Sequence, residues 1–168
     1  MPQVPIMPLV VGALLIASLL PVRLAPRSLG WLAFGLWVLG GVVLLSFGTA
    51  RLLQAARGDA TPTVVGIVAF AALAVGVAKG RFVLRKTARR NIERLAALDQ
   101  PQRPIHVYGI RSWLVIGLMT GLSVGLTVGG LPPLWRGMVN LAIGAALAAS
   151  SLNYLPPLRA GLLRSARA

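Results

Sequence analysis

The 168-residue chain has no cysteine, one histidine and only three acidic residues. Without cysteine there can be no disulfide, thiolate metal site, iron–sulfur cluster or cysteine nucleophile, and cysteine usage gives no guide to the redox compartment. The acids Asp59, Glu93 and Asp99 all lie outside the long apolar runs. Proton pumps, cation-coupled transporters and rotary proton-carrying rings generally need a carboxylate inside the bilayer, so those classes are disfavoured. The lone His106 sits in Pro104-Ile-His-Val-Tyr-Gly109, just before an apolar run. A single imidazole can ligate a haem-type or chlorophyll-type pigment axially, but no paired ligand accompanies this one. Scattered hydroxyls complete neither a triad nor a metal centre. The expectation is therefore no enzyme, no cofactor and no metal.

What the chain does have is apolar length. Hydrophobic residues make up 57%, charged residues 12%, and the mean hydropathy is +0.80. Such a composition suits lipid rather than water as the main solvent. Seventeen Lys and Arg give a formal charge of +14, which in a soluble domain would point to nucleic acid. Placed between apolar runs, basic residues instead set topology and touch anionic headgroups, so no nucleic-acid partner is expected.

A helix crossing a hydrocarbon core of about 30 Å needs roughly 20 apolar residues. Five stretches approach that length: Val4 to Val22, Leu29 to Leu53, Pro62 to Leu84, Ser112 to Gly130 and Gly137 to Leu155. The chain thus reads as all-α, a single membrane domain over residues 1–168 built as a bundle of five transmembrane helices. The first is the weakest, being short and carrying Pro5, Pro8 and Pro21, and it reads as a tilted span or a re-entrant element. No basic residue precedes it and no cleavage site stands out before Arg23, so it is expected to remain in the mature protein. Thr61 with Pro62 reads as an N-cap followed by proline at the first helical position. Leu131-Pro-Pro-Leu-Trp-Arg136 joins the last two spans as a tight antiparallel hairpin.

Positive charge resists translocation, so its distribution predicts orientation. With the N-terminus outside, 14 of the 17 basic residues fall inside, and only Arg51, Arg57 and Arg136 fall outside. The expected setting is a multi-pass protein of a bacterial inner membrane with a cytoplasmic C-terminus. Residues 81–110 form its basic cytoplasmic extension and loop. From Leu84, the residues Ala88, Ile92, Leu95 and Leu98 make an apolar stripe at helical spacing, opposite Arg85, Arg89, Arg90, Glu93 and Arg94. The third span is therefore expected to continue as an amphipathic helix, with an Arg89–Glu93 pair, until Pro101 and Pro104 end it. Either it is a solvated extension, or it lies on anionic headgroups through Arg85, Lys86, Arg89, Arg90 and Arg94; the second is preferred. Two similar hairpin-plus-basic layouts, from Trp37 and from Trp113, raise an internal duplication. Residue identity between them is low, and any pair of spans obeys the same charge rule.

The most specific signal is Gly117, Gly121, Gly125 and Gly129, spaced by four inside an apolar run. Such a series leaves a groove that drifts about 40° per step, into which another helix can pack at close range. Asn140, Gly144 and Ala148 provide a matching small or polar series in the fifth span, so the first candidate partner is intramolecular; another copy or another membrane subunit is the alternative. Lys79, between Ala78 and Gly80, reads as a snorkelling end residue. With Arg81, Arg111 and His106 it is also a candidate ligand contact. Trp31, Trp113, Trp135 and Tyr154 fall near span ends as belt anchors. Asn140, Asn153 and nearby Ser and Thr residues make a polar seam that interhelical hydrogen bonding explains.

The resulting expectation is a non-catalytic accessory or scaffold subunit, a homo-oligomer or part of a larger complex, that packs through the glycine face and contacts anionic lipid. A small oligomeric channel or transporter for an anion or neutral solute is the runner-up. A lipid-acting enzyme is a distant third.

Overall fold

The computed structural model describes residues 23–58, 60–97, 103, 117, 121, 125–126 and 128–159. The expected first span and most of the expected fourth lie outside these residues. The structure is all-helical where described, and three segments are long and apolar enough to cross a membrane: Ser28–Ala56, Pro62–Leu95 and Pro133–Arg159.

Helix α1, Pro26–Ala56, starts with proline in its first turn after the extended Ala25. Here the missing proline N–H costs no intrahelical hydrogen bond. The helix is apolar nearly all round and closes at Arg57 and Gly58, whose N–H groups donate to the carbonyls of Leu53 and Ala55. Helix α2, Pro62–Lys79, begins directly after Thr61, although the Thr61 side chain makes no capping hydrogen bond.

From Lys79 the chain does not stop. A π-helical turn over Gly80–Leu84 carries it into α3, Arg85–Ala96. The 34 residues of this continuous segment rise about 50 Å, roughly 20 Å more than a hydrocarbon core. The surplus is α3. The wide turn also has a phasing role. Ala72, Gly76, Gly80 and Ala88 are all buried at multiples of four residues, a spacing that drifts by about 40° per step in an α-helix. A π turn takes up one extra residue and recovers part of that drift, keeping α2 and α3 on the same side of the bundle.

Before α4, the chain turns sharply. Leu131 N–H donates to the Leu126 carbonyl and Gly129 N–H to that of Gly125, with Gly130 at φ +67°. This is a glycine-closed helix end, and residue 130 needs glycine because its backbone is left-handed. Pro132 is extended and Pro133 opens α4, Pro133–Ser151, four residues earlier than hydropathy indicates. At the other end Leu152–Tyr154 tightens into a 3-10 turn before the short α5, Leu155–Arg159. Pro156 and Pro157 supply no N–H to the Leu152 and Asn153 carbonyls, so Leu155 N–H bonds Leu152 instead.

Helix α4 is the centre of the described bundle. It packs along α1 and along α2, whereas α1 and α2 meet only briefly. Glycines make both seams. A Cβ on Gly41 would lie 3.2 Å from the Gly144 carbonyl, and one on Gly48 would lie 2.7 Å from Leu141 N and 3.1 Å from the Gly137 carbonyl. Contacts ascend α1 as they descend α4, so the pair is antiparallel. On α2, Gly76 meets Ala142 and Ala145, and Gly80 at the start of the π turn meets Ala146 and Ala149, so α2 and α4 run parallel.

The seams set a testable contrast. Gly48→Ala forces a methyl into the α4 backbone and should destabilise the bundle by about 1–3 kcal/mol. Gly35→Ala, with nothing within 4 Å of its added methyl, should cause no loss. Unfolding in mixed micelles by rising dodecyl sulfate content measures both.

Candidate functional site

The antiparallel course of α1 against α2 and α4 divides the described charges between two ends. Arg23, Lys79, Arg81, Arg85, Lys86, Arg89, Arg90, Arg94 and Arg159 belong to one end, and Arg51, Arg57 and Arg136 to the other, with Arg103 standing apart from the described helices. At the basic end, the amphipathic stripe of α3 turns inward. Ala88 and Leu95 are fully enclosed with Leu29, Ala33, Tyr154 and Leu158, and Ile92 packs against the same cluster. The Ala88, Ile92 and Leu95 part of the stripe is therefore covered by α1, the 3-10 turn and α5, and it is not an apolar surface left over for headgroups. Arg85, Lys86, Arg89, Arg90 and Arg94 lie on the exposed side.

A buried polar contact holds α3 in place. Asn91 Nδ2 donates to Tyr154 Oη over 3.3 Å, with both side chains buried. The Tyr154 ring also stands 6.0 Å from that of Trp37. Tyr154 thus belongs to the core under α3 and is not the belt anchor its position near a span end implies. Trp31 and Trp135 are 44% and 50% exposed, and Trp113 lies outside the described residues. The Arg89–Glu93 pair forms at 2.8 Å between exposed side chains, where it contributes about 0.3–0.5 kcal/mol.

The expected glycine groove has a different environment from the internal seams. Gly117, Gly121 and Gly125 are exposed, and no atom of the described residues lies within 4 Å of where their Cβ atoms would stand. Among the described residues Gly129 meets only the Gly125 carbonyl and Leu131 of its own turn. The intramolecular partner series is engaged elsewhere. Gly144 fits against Leu45 and Gly41, Ala148 N lies 3.1 Å from the Gly41 Cβ position, and Asn140 is buried. That face of α4 belongs to α1.

Lys79 and Arg81 are exposed at the junction of α2 with the π turn, while Arg111 and His106 lie outside the described residues. Among the described residues no three His, Asp or Glu side chains gather as a metal site would require. The polar seam is partly self-satisfied: Ser151 Oγ donates to the Ala148 carbonyl and Asn153 Nδ2 to that of Ser150. Comparison with protein-family models, curated proteins and solved structures finds no significant match for this chain.

Two features escaped the linear reading. The Gly41–Gly48 and Gly137–Gly144 pairs share a seven-residue step, and Gly76–Gly80 a four-residue one; those spacings were the available signal. Asn91 was hidden in a basic run, and its signal was one amide on the apolar side of the stripe.

The Asn91–Tyr154 contact predicts the anchoring of α3. Tyr154→Phe removes the acceptor and leaves a buried amide, at a cost of about 1 kcal/mol. Limited trypsin cleavage at Arg90 and Arg94 should then accelerate about fivefold. Adding Asn91→Leu should restore most of the protection.

Proposed function

We propose that this chain is a non-catalytic accessory or scaffold subunit of a bacterial inner membrane, oriented with its C-terminus in the cytoplasm. It docks a partner helix against the Gly117–Gly121–Gly125 face and holds anionic lipid with the exposed arginines of α3. The partner is another copy of the chain or a different membrane subunit.

One observation carries this reading. Six glycines of the bundle, Gly41, Gly48, Gly76, Gly80, Gly137 and Gly144, are each pressed against a neighbouring helix, whereas Gly117, Gly121 and Gly125 stand open among the described residues. In lipid, helices associate through close packing of small residues, and an open glycine series offers that packing to a helix from outside the chain. The orientation is supported by the gathering of basic residues at one end of the bundle. Exposed Ile67, Phe70 and Phe82, at 64%, 77% and 82%, give α2 and the π turn an apolar outer surface suited to lipid. With the α3 stripe engaged inside the bundle, lipid contact rests on charge: each basic residue near an anionic surface contributes about 1 kcal/mol.

Extraction in a mild detergent, followed by affinity purification of the native assembly, tests the docking face. Gly121→Leu should reduce the co-purifying partner or the oligomer at least tenfold while leaving helix content unchanged. Undiminished assembly in a folded Gly121→Leu protein counts decisively against docking through this face.

A further inference from the structure

At the arginine-poor end, the close approach of α1 and α4 brings two cations together. A Cβ on Gly137 would lie 2.9 Å from the Leu52 side chain, and the residues immediately preceding these two are Arg136 and Arg51. Their guanidinium charges are near enough to repel one another. Both arginines are half-buried, and Arg136 Nε is closed to solvent with no hydrogen-bond partner among the described residues.

A guanidinium N–H sealed from water without an acceptor is unfavourable, and a second cation alongside adds to the penalty. Glu93, the one acid among the described residues, sits on α3 at the opposite end. The surroundings favour negative charge in another way. Helices α2 and α4 both begin at this end with proline in the first turn and no side-chain cap, and Ala60, Val65 and Leu134 bring the two starts into one cluster. Unbonded N–H groups of the two first turns therefore add positive potential on the same side as the arginines.

We infer that Arg51 and Arg136 form a binding site for a phosphate-bearing anion. Planar guanidinium forks present paired donors that match phosphate oxygens, and a shared anion held by the outer nitrogens of both forks offsets the repulsion between the two cations. The phosphate belongs to an anionic phospholipid headgroup or to a free phosphate ion. This site is separate from the exposed α3 arginines and does not depend on the glycine face.

Trp135, next to Arg136 and 50% exposed, provides a local reporter. The full chain, with Trp31, Trp37 and Trp113 replaced by phenylalanine, is purified in a phosphate-free maltoside detergent. It is titrated separately with dioctanoyl phosphatidylglycerol and with inorganic phosphate. A saturable change in Trp135 emission is expected with at least one probe, and which probe saturates assigns the source. Arg51→Gln and Arg136→Gln should each weaken the response at least tenfold, and Arg89→Gln, at the other end, should leave it unchanged. Where a glutamine variant does not fold, the lysine variant keeps the charge but loses the fork, and should still weaken binding at least threefold. Three results overturn the site: no saturable response to either probe, a response indifferent to both arginines, or a response that appears only in Asp59→Asn, which would mean that the aspartate already neutralises the pair.

Discussion

The described bundle depends on backbone meeting backbone along α4. At Gly41, Gly48, Gly137 and Gly144 the two helices approach so closely that an added methyl group would fall 2.7–3.2 Å from a peptide atom. Lipid tails are as apolar as leucine, so burying a large side chain between two helices in lipid gains little over leaving it against the tails. What remains is dispersion between surfaces that fit, and interhelical polar contacts. A seven-residue step on both partners places the glycines in register along an antiparallel pair, and the four-residue step on α2 repeats the device on another face of α4. Chain order is subordinate to this fit: α1 and α2 are sequence neighbours, yet each is bound mainly to the later helix.

A second constraint is length. The 34-residue α2–α3 segment is too long to remain within a hydrocarbon core unless it tilts steeply, and its composition changes where the surplus begins. The π turn at Gly80–Leu84 sits at that change. It coincides with the tight Gly80 contact to Ala146, where a Cβ would stand 2.5 Å from the carbonyl oxygen. The extra residue in the turn lets one continuous helix serve two surroundings: small residues against α4 below, then Ala88, Asn91 and Leu95 against α1 and Tyr154 above. The 3-10 turn before Pro156 acts similarly on α4, giving up ideal α geometry to bring Tyr154 and Leu158 under α3.

Periodicity and hydropathy made the three long helices of the described residues legible, because apolar runs of this length leave few alternatives. Thr61 and Pro62 marked a helix start, Arg89 and Glu93 a pair, and the run from Leu84 to Leu98 an amphipathic stripe. The destination of each face was not legible. A stripe of Ala88, Ile92 and Leu95 fits a headgroup layer and a neighbouring helix equally well by spacing, and only the position of α1 and Tyr154 distinguishes them. The same holds for Gly144 and Ala148, whose four-residue step matched the Gly117–Gly129 series yet meets Gly41 and Leu45. Small residues identify a surface able to pack closely; they carry no address. Tyr154 illustrates a related ambiguity, since an amphipathic ring near a span end suits both a membrane interface and a buried hydrogen bond to Asn91.

Packing and charge point to one topology from independent physics. Glycine contacts alone make α1 antiparallel to α4 and α4 parallel to α2. This arrangement brings the start of α1 beside α3 and the end of α4, all flanked by arginine or lysine, and collects Arg51, Arg57 and Arg136 at the far end. Had the seams paired the helices in the opposite sense, the basic clusters would have been split between the two ends. The one-sided distribution of basic residues and the small-residue fit between helices are therefore satisfied by the same fold, without an ion pair joining the helices among the described residues. The Arg89–Glu93 bridge lies within α3 and is exposed, so neither the bundle nor its polarity rests on it.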